Sequence, residues 1–389
     1  MTDATADWTT WLDVDATGYM PTPDHAARRD RLAEVLDGLA PAPHSAALLV
    51  TGAANLRWAT GFTGSNGALL LTPGGATLLT DARYEGRVAV ECTGLDAHIT
   101  KQLLPAAVEL AAASGVDRLC FEGDHLTHRQ GADLQGEVGE TSLEDMVSVH
   151  GVVERLRTTK DDAELARLAR ACAVTDDVLD RVLALGLAGR TERELARLLE
   201  QGFRDRDADV AFTSIVAAGT NGAIPHHEPT TRVIDECDLV TIDCGARVDG
   251  YHADTTRTVA AGRLPSGDAA VLVDVFALVA EAQEAGVQRA VDGTPTRLVD
   301  AAARDVIEAA GHGDQFVHGC GHGVGLEIHE APAVSTTASA TLEPRTVLTV
   351  EPGIYLPARG GVRIEDTVLV TDDGPAMRLT TSPHDLLVV

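Results

Sequence analysis

Asp243 closes the apolar run Leu239-Val-Thr-Ile, and Asp254 follows Tyr251-His-Ala. An aspartate at the end of an apolar strand needs a partner, because a buried charge is costly when unpaired. The two residues lie symmetrically about Val248 and Asp249, and Asp249-Gly250 is a hairpin signal. Leu239–Val259 therefore reads as strand, turn, strand, with the two carboxylates nearly opposite each other. Glu351 and Glu365 repeat the arrangement about Ala358, in a second strand pair, Val347–Tyr355 with Gly361–Val370. Either pair alone also fits the solvated acidic end of a hairpin. Two such pairs in one domain point to four carboxylates around a common centre. Anions that close repel unless a proton or a cation lies between them.

The run His318-Gly-Cys-Gly-His322-Gly-Val-Gly-Leu-Glu-Ile-His329 adds three histidines and four glycines. A lone histidine is more often structural than a ligand. Here the glycines let backbone approach a site closely, and imidazole is a common metal ligand. The spacing does not match a dinucleotide-binding G-x-G-x-x-G. His226-His227, beyond Asn221-Gly222, is a further candidate that alone would be a polar loop. Two Asp, two Glu and one neutral His carry a charge of about −4, which two divalent cations balance. An oxygen-rich set with one imidazole favours Mn²⁺, with Co²⁺, Fe²⁺ or Zn²⁺ also compatible. Neither His227-Glu228 nor His329-Glu330 continues as H-E-x-x-H.

These residues need elements to place them. Residues 1–23 read as a polar arm. Residues 24–152 read as an α/β domain, with a helix at His25–Leu39, an apolar run at Ala46–Val50, a hairpin of Ala68–Leu71 with Ala76–Thr80, and a helix at Leu103–Ala113. Residues 153–389 read as α+β. A long helix over about Asp161–Leu185 carries the stripe Leu165, Leu168, Cys172, Leu179, Val182 and Leu183, interrupted by Thr175. Thr191 and Glu194 form a capping box for the next helix. Further helices are expected over Gly267–Val291 and from Thr294 to Gly311, with Pro295 in the first turn.

Composition removes several classes. The 389 residues carry 31 Lys+Arg against 59 Asp+Glu, a net charge of −28, which disfavours nucleic acid and anionic membranes as partners. Only Lys101 and Lys160 are lysines, and neither completes a phosphate-binding loop. Six cysteines without a C-x-x-C read as reduced, mostly buried thiols. The acidic N-terminus does not resemble a signal peptide, and no run of 18 apolar residues occurs, so the expected location is the cytoplasm.

The chain resembles the pita-bread metallopeptidases, in particular the Xaa-Pro aminopeptidases and prolidases. The resemblance rests on Thr241-Ile-Asp-Cys-Gly-Ala, Gly250-Tyr-His-Ala-Asp-Thr-Thr-Arg-Thr, His318 to Glu330, Val350-Glu-Pro-Gly-Ile-Tyr and Gly361-Val-Arg-Ile-Glu-Asp, and more weakly on Asn55 to Gly67 and Thr80-Asp-Ala-Arg-Tyr. It implies an α+β fold, a C-terminal pita-bread domain preceded by a smaller α/β creatinase-like domain. It places two metal ions on Asp243, Asp254, His322, Glu351 and Glu365. His318, His329 and His226 then match histidines around the metals or facing substrate, and Arg363 matches an arginine beside the last ligand. The implied activity is release of the first residue from peptides with proline second, by a metal-bridged hydroxide. Glu351 would be the general base, and His329, with His318, would stabilise the oxyanion. The alternatives are an Xaa-Pro dipeptidase, a methionine aminopeptidase, disfavoured by the large N-terminal domain, and a non-catalytic pita-bread binding protein. Relatives of this kind form dimers or tetramers, so a homo-oligomer is expected.

Overall fold

Ala46–Val50 (β1) is buried along its whole length, which is why it reads as an unbroken apolar run. It lies inside a six-stranded mixed sheet with Gly67–Thr72 (β2), Gly75–Thr80 (β3), Asp96–Ile99 (β4), Arg118–Glu122 (β5) and Asp145–Val149 (β6), in the order β4-β3-β2-β1-β5-β6. The helices of this unit are His25–Leu39 (α1), Ala53–Thr60 (α2), Glu85–Glu91 (α3), Leu103–Ala113 (α4), His128–Val138 (α5) and Val152–Thr158 (α6). Ala47, Leu49, Leu70 and Leu119 pack under α4 and α5. The computed structural model describes residues 20–39 and 44–389, so most of the arm expected over 1–23 lies outside the described residues. The described chain divides into one unit of Thr22–Arg157 and another of Thr158–Val389, to which Met20 and Pro21 also belong. α6 belongs with the first: Val153 is fully buried, and Arg157 Nη1 donates to Asn55 Oδ1 at 2.6 Å.

In the second unit Asp162–Leu183 (α7) is capped by Asp161, with Glu164 closing a capping box. Its stripe faces two ways. Leu179, Val182 and Leu183 pack with Glu192–Arg204 (α8) on a sheet of Ile215–Ala218 (β8), Leu239–Cys244 (β9) and Thr255–Ala260 (β12). Leu165, Leu168 and Cys172 pack against Tyr251, Val324, Val347 and Leu369. Thr175 is accommodated because its hydroxyl donates to Ala171 O (2.8 Å) and accepts from Ala246 N (2.9 Å). A small sheet holds Asp209–Val210 (β7), Ala246–Val248 (β10) and Tyr251–His252 (β11). A second helix pair, Val271–Arg289 (α9) and Thr296–Ala309 (α10), covers Leu348, Val350, Val362 and Val368. The strands beneath are Gly321–Gly323 (β13), Glu330–Val334 (β14), Val347–Val350 (β15), Gly353–Leu356 (β16), Gly360–Arg363 (β17), Asp366–Leu369 (β18) and Met377–Arg378 (β19). α9 starts later than Gly267, after a 3₁₀ turn at Gly267–Ala269, and Pro295 caps α10 rather than entering its first turn. No helix among the described residues is long and apolar enough to cross a membrane.

Strand register places the acidic residues. In the β9–β12 ladder the partner of Asp243 is Thr256, not Asp254. Asp249 and Gly250 form a two-residue turn with φ of 46° and 85°, both left-handed as a type I′ turn requires. The turn centre is thus one residue beyond the position that sequence symmetry suggests. Asp254 sits two residues from Thr256, as a diagonal neighbour of Asp243 on the same face. In the second hairpin Val350 pairs with Asp366 and Gly353 with Arg363, so Glu351 and Glu365 are opposed in register. They occupy a break between two ladders, not the continuous strands expected from sequence. A bridge between Thr256 and Glu365 joins the two hairpins.

Candidate metal centre

The two hairpins and the histidine run converge on a cavity of about 460 Å³. Asp243, Asp254, His322, Glu351 and Glu365 line it, with His226, His318, His329 and Arg363. Every site residue expected from sequence is therefore brought to one place. Alternation explains part of this: Arg363 and Glu365 are two apart on one strand path, as are Asp254 and Thr256, so each pair shares a face.

The histidine run is fixed from outside. His252 Nδ1 donates to Gly325 O at 2.9 Å. Lys160, one of two lysines in the chain, is buried and donates to the buried carboxylate of Glu330 at 2.8 Å. Gly321 and Gly323 leave no room for a side chain: a Cβ would lie 2.0 Å from Thr349 O at the first and 2.1 Å from Ala331 O at the second.

Within the cavity, Asp243 Oδ2 accepts from Arg363 Nη2 (2.7 Å), while Asp243 Oδ1 is buried without a hydrogen-bond partner among the described residues. Glu365 Oε2 accepts from Thr256 Oγ1 at 2.6 Å. Burial, and then the charge of neighbouring carboxylates, pushes the Asp254 and Glu365 carboxyls well above the usual range, and burial also raises Glu351. Burial keeps His322 neutral by lowering its pKa. Its Nδ1–H donates to Gly323 O at 3.0 Å, so Nε2 carries a lone pair. That lone pair faces Asp254 Oδ2 at 3.5 Å and Glu351 Oε1 at 3.4 Å. A lone pair aimed at two carboxylates, beside an orphaned carboxylate oxygen, is the arrangement a cation resolves. Ligand atoms of Asp254, His322 and Glu365 all lie within 4.8 Å of one another. The donor set fits divalent cations with oxygen and imidazole preference.

Two residues without an assigned role in the sequence reading prove central. Tyr355 OH accepts from Arg363 Nη1 (2.9 Å) and donates to His318 Nε2 (2.8 Å), and His318 Nδ1 donates to Gly319 O (2.8 Å). Both nitrogens of His318 are thereby engaged. Thr256 bridges Glu365 and Arg363 Nε, the latter at 3.1 Å. Its signal in the sequence was its parity with Asp254. Cys244 and Cys320 are fully buried, their thiols pushed up by burial, and neither lines the cavity.

A second group, Glu122, His125 and Glu154, lies in the first unit. Its atoms already have partners: Glu122 accepts from Thr51 N, Gly52 N and Asn55 Nδ2 at 2.6–2.7 Å, and His125 Nε2 meets Glu154 Oε1 at 2.8 Å.

Comparison with known proteins gives two family matches, metallopeptidase family M24 over residues 166–372 and the creatinase/prolidase N-terminal domain over 28–159. An uncharacterised peptidase of Bacillus subtilis is 37% identical over 88% of this chain and 95% of its own length. An Xaa-Pro dipeptidase from Bacillus anthracis superposes with a TM-score of 0.86 at 34% identity, covering 94% of this chain and 100% of that one. An X-Pro aminopeptidase from Thermotoga maritima superposes with a TM-score of 0.80 at 31% identity, covering 88% of this chain and 97% of that one.

Proposed function

Because the chain belongs to metallopeptidase family M24, with a creatinase-type N-terminal domain preceding its pita-bread domain in sequence, we propose that it is an Xaa-Pro aminopeptidase with a dinuclear centre. Asp243, Asp254, His322, Glu351 and Glu365 would hold two divalent cations, with Mn²⁺ suited to the oxygen-rich set. Such a pair supplies Lewis acidity and makes a water nucleophilic near neutral pH. The observation that carries the reading is the lone-pair nitrogen of His322 among buried carboxylates.

The chain's own groups divide the remaining work. Glu351, whose carboxyl is raised by burial, takes the proton of the attacking water and passes it to the departing proline nitrogen. His329 lies beside His322, with ring centroids 4.3 Å apart, and donates to the scissile carbonyl oxygen as it gains charge. His318 is left to orient Tyr355 and Arg363, since both of its nitrogens are in use. Arg363 keeps Asp243 in place.

Peptides longer than two residues are favoured over dipeptides. A dipeptide presents its carboxylate inside the cavity and asks for a cation there. Arg363 is the sole arginine or lysine lining the cavity among the described residues, and it is engaged by Asp243 and Tyr355. The test is a series of Xaa-Pro-Yaa, Xaa-Pro and Xaa-Ala-Yaa with Mn²⁺. Xaa-Pro-Yaa should be cleaved fastest. Faster cleavage of Xaa-Pro would make the protein a dipeptidase, and faster cleavage of Xaa-Ala-Yaa would remove the proline preference.

A further inference from the structure

Glu192 opens α8 and is fully buried, yet neither the metal set nor the proposed mechanism uses it. Five donors converge on its carboxylate. Oε1 accepts from Ala218 N (2.9 Å) and Asn221 Nδ2 (2.8 Å). Oε2 accepts from His227 Nε2 (2.9 Å), Thr230 N (3.0 Å) and Thr230 Oγ1 (2.7 Å). Burial works against its charge, but these donors outweigh it and hold the carboxyl down at about 2. A helix N-terminus further favours an anion there.

All five donors belong to one stretch of chain, from the end of β8 to Thr230. That stretch carries Pro225, His226 and His227 to the cavity wall. Its main-chain hydrogen bonds lie in the first half, where a 3₁₀ turn at Gly219–Ala223 ends with Ile224 N donating to Asn221 O, and at the last residue, where Thr230 O accepts from Arg193 N. Between them the hold comes from side chains: Arg363 Nη1 donates to Pro225 O at 3.3 Å, and His227 donates to Glu192. One carboxylate thus grips the loop at its start, middle and end.

We propose that Glu192 is a positioning residue for substrate, a clamp that fixes the loop of residues 218–230 so that His226 faces the peptide. The proposal rests on the peptidase reading above, and it adds a residue that touches neither substrate nor metal. Glu192→Gln tests it with little change of shape. The amide can still accept from Ala218 and Asn221, but its NH₂ would face the Thr230 and His227 donors.

The first measurement needs no turnover. Amide hydrogen exchange of 219–230 should speed up about tenfold or more in Glu192→Gln, with β9 and β12 unchanged. Unchanged exchange in the loop, or equal acceleration throughout the unit, would overturn the clamp. The second is a cycle with His226→Ala on Xaa-Pro-Yaa, with metal content measured in parallel. Alone, Glu192→Gln should lower kcat/KM roughly 30-fold, mostly through KM, at wild-type metal content. In the His226→Ala background it should cost about threefold or less, because the loop has then nothing to present. Equal losses in both backgrounds, or loss of metal, would make Glu192 a general stabiliser and sink the proposal. If Glu192→Gln fails to fold, Thr230→Val removes one donor and should show the same coupling, smaller. Absence of any Xaa-Pro-Yaa cleavage by the wild type would defeat the peptidase reading instead, and the exchange result still decides the clamp.

Discussion

His322 is neutral because burial opposes its charge and prevails over the hydrogen bond from Nδ1–H to Gly323 O, which favours the charged form but fixes the tautomer and leaves the lone pair on Nε2. Around its lone pair stand carboxyls that burial and mutual repulsion push upward. The consequence for stability has a definite sign. A carboxyl raised in the folded state holds a proton that the unfolded chain releases near pH 4. Its contribution is present below that pH and is lost as pH rises through the raised values. Chelated protein should therefore fall further below Mn²⁺-loaded protein in melting temperature as pH is raised from about 4.5 to 8. Thermal melts of both forms across that range check this, and a gap independent of pH would contradict it. Cys320 lies between two site histidines but packs into the core under α9 and α10. Its thiol stays protonated, so Cys320→Ala should keep about half or more of wild-type activity, the change being a small loss of buried volume.

The ladders between β9 and β12 and between β15 and β18 bring the acidic residues together, and Thr256 is where they meet. It pairs with Asp243 in one direction and bridges Glu365 in the other. Its hydroxyl donates to Glu365 and accepts from Arg363. Thr256→Val should lower metal affinity about 10- to 100-fold while retaining the strand, since valine suits a buried strand position. Metal titration followed by calorimetry reads this directly. The existence of both hairpins was legible in the sequence because a polar residue ending an apolar run is conspicuous. The register of the first was not. Symmetry about Val248 and Asp249 paired Asp243 with Asp254, whereas the type I′ turn at Asp249-Gly250 moves the pairing by two residues. Turn geometry, not the position of the acidic residues, sets register. Tyr355 and Glu192 were illegible as functional groups for another reason. Their partners, His318 and Arg363 for one and the loop to Thr230 for the other, are distant along the chain or mixed with ordinary polar residues.

At the scale of the whole chain, the net charge of −28 and the candidate metal site make separable demands. Surplus surface anions repel one another through solvent, over the Debye length of roughly 10 Å at 0.1 M salt. Monovalent salt screens that repulsion and should raise the melting temperature by a few degrees between about 0.02 and 0.5 M KCl. The carboxylates of the cavity are buried, so screening reaches them poorly, and a divalent cation must act there by binding. Micromolar Mn²⁺ should then stabilise the protein even in 0.5 M KCl. Glu365→Gln separates the two effects, because it removes one ligand charge of the site and one unit out of 28. The variant should keep the whole response to KCl and lose most of the response to Mn²⁺. Loss of both together would mean that the cavity is screened like the surface. Retention of both would mean that Mn²⁺ acts on the acidic surface at large, leaving the four carboxylates and His322 without a cation to hold.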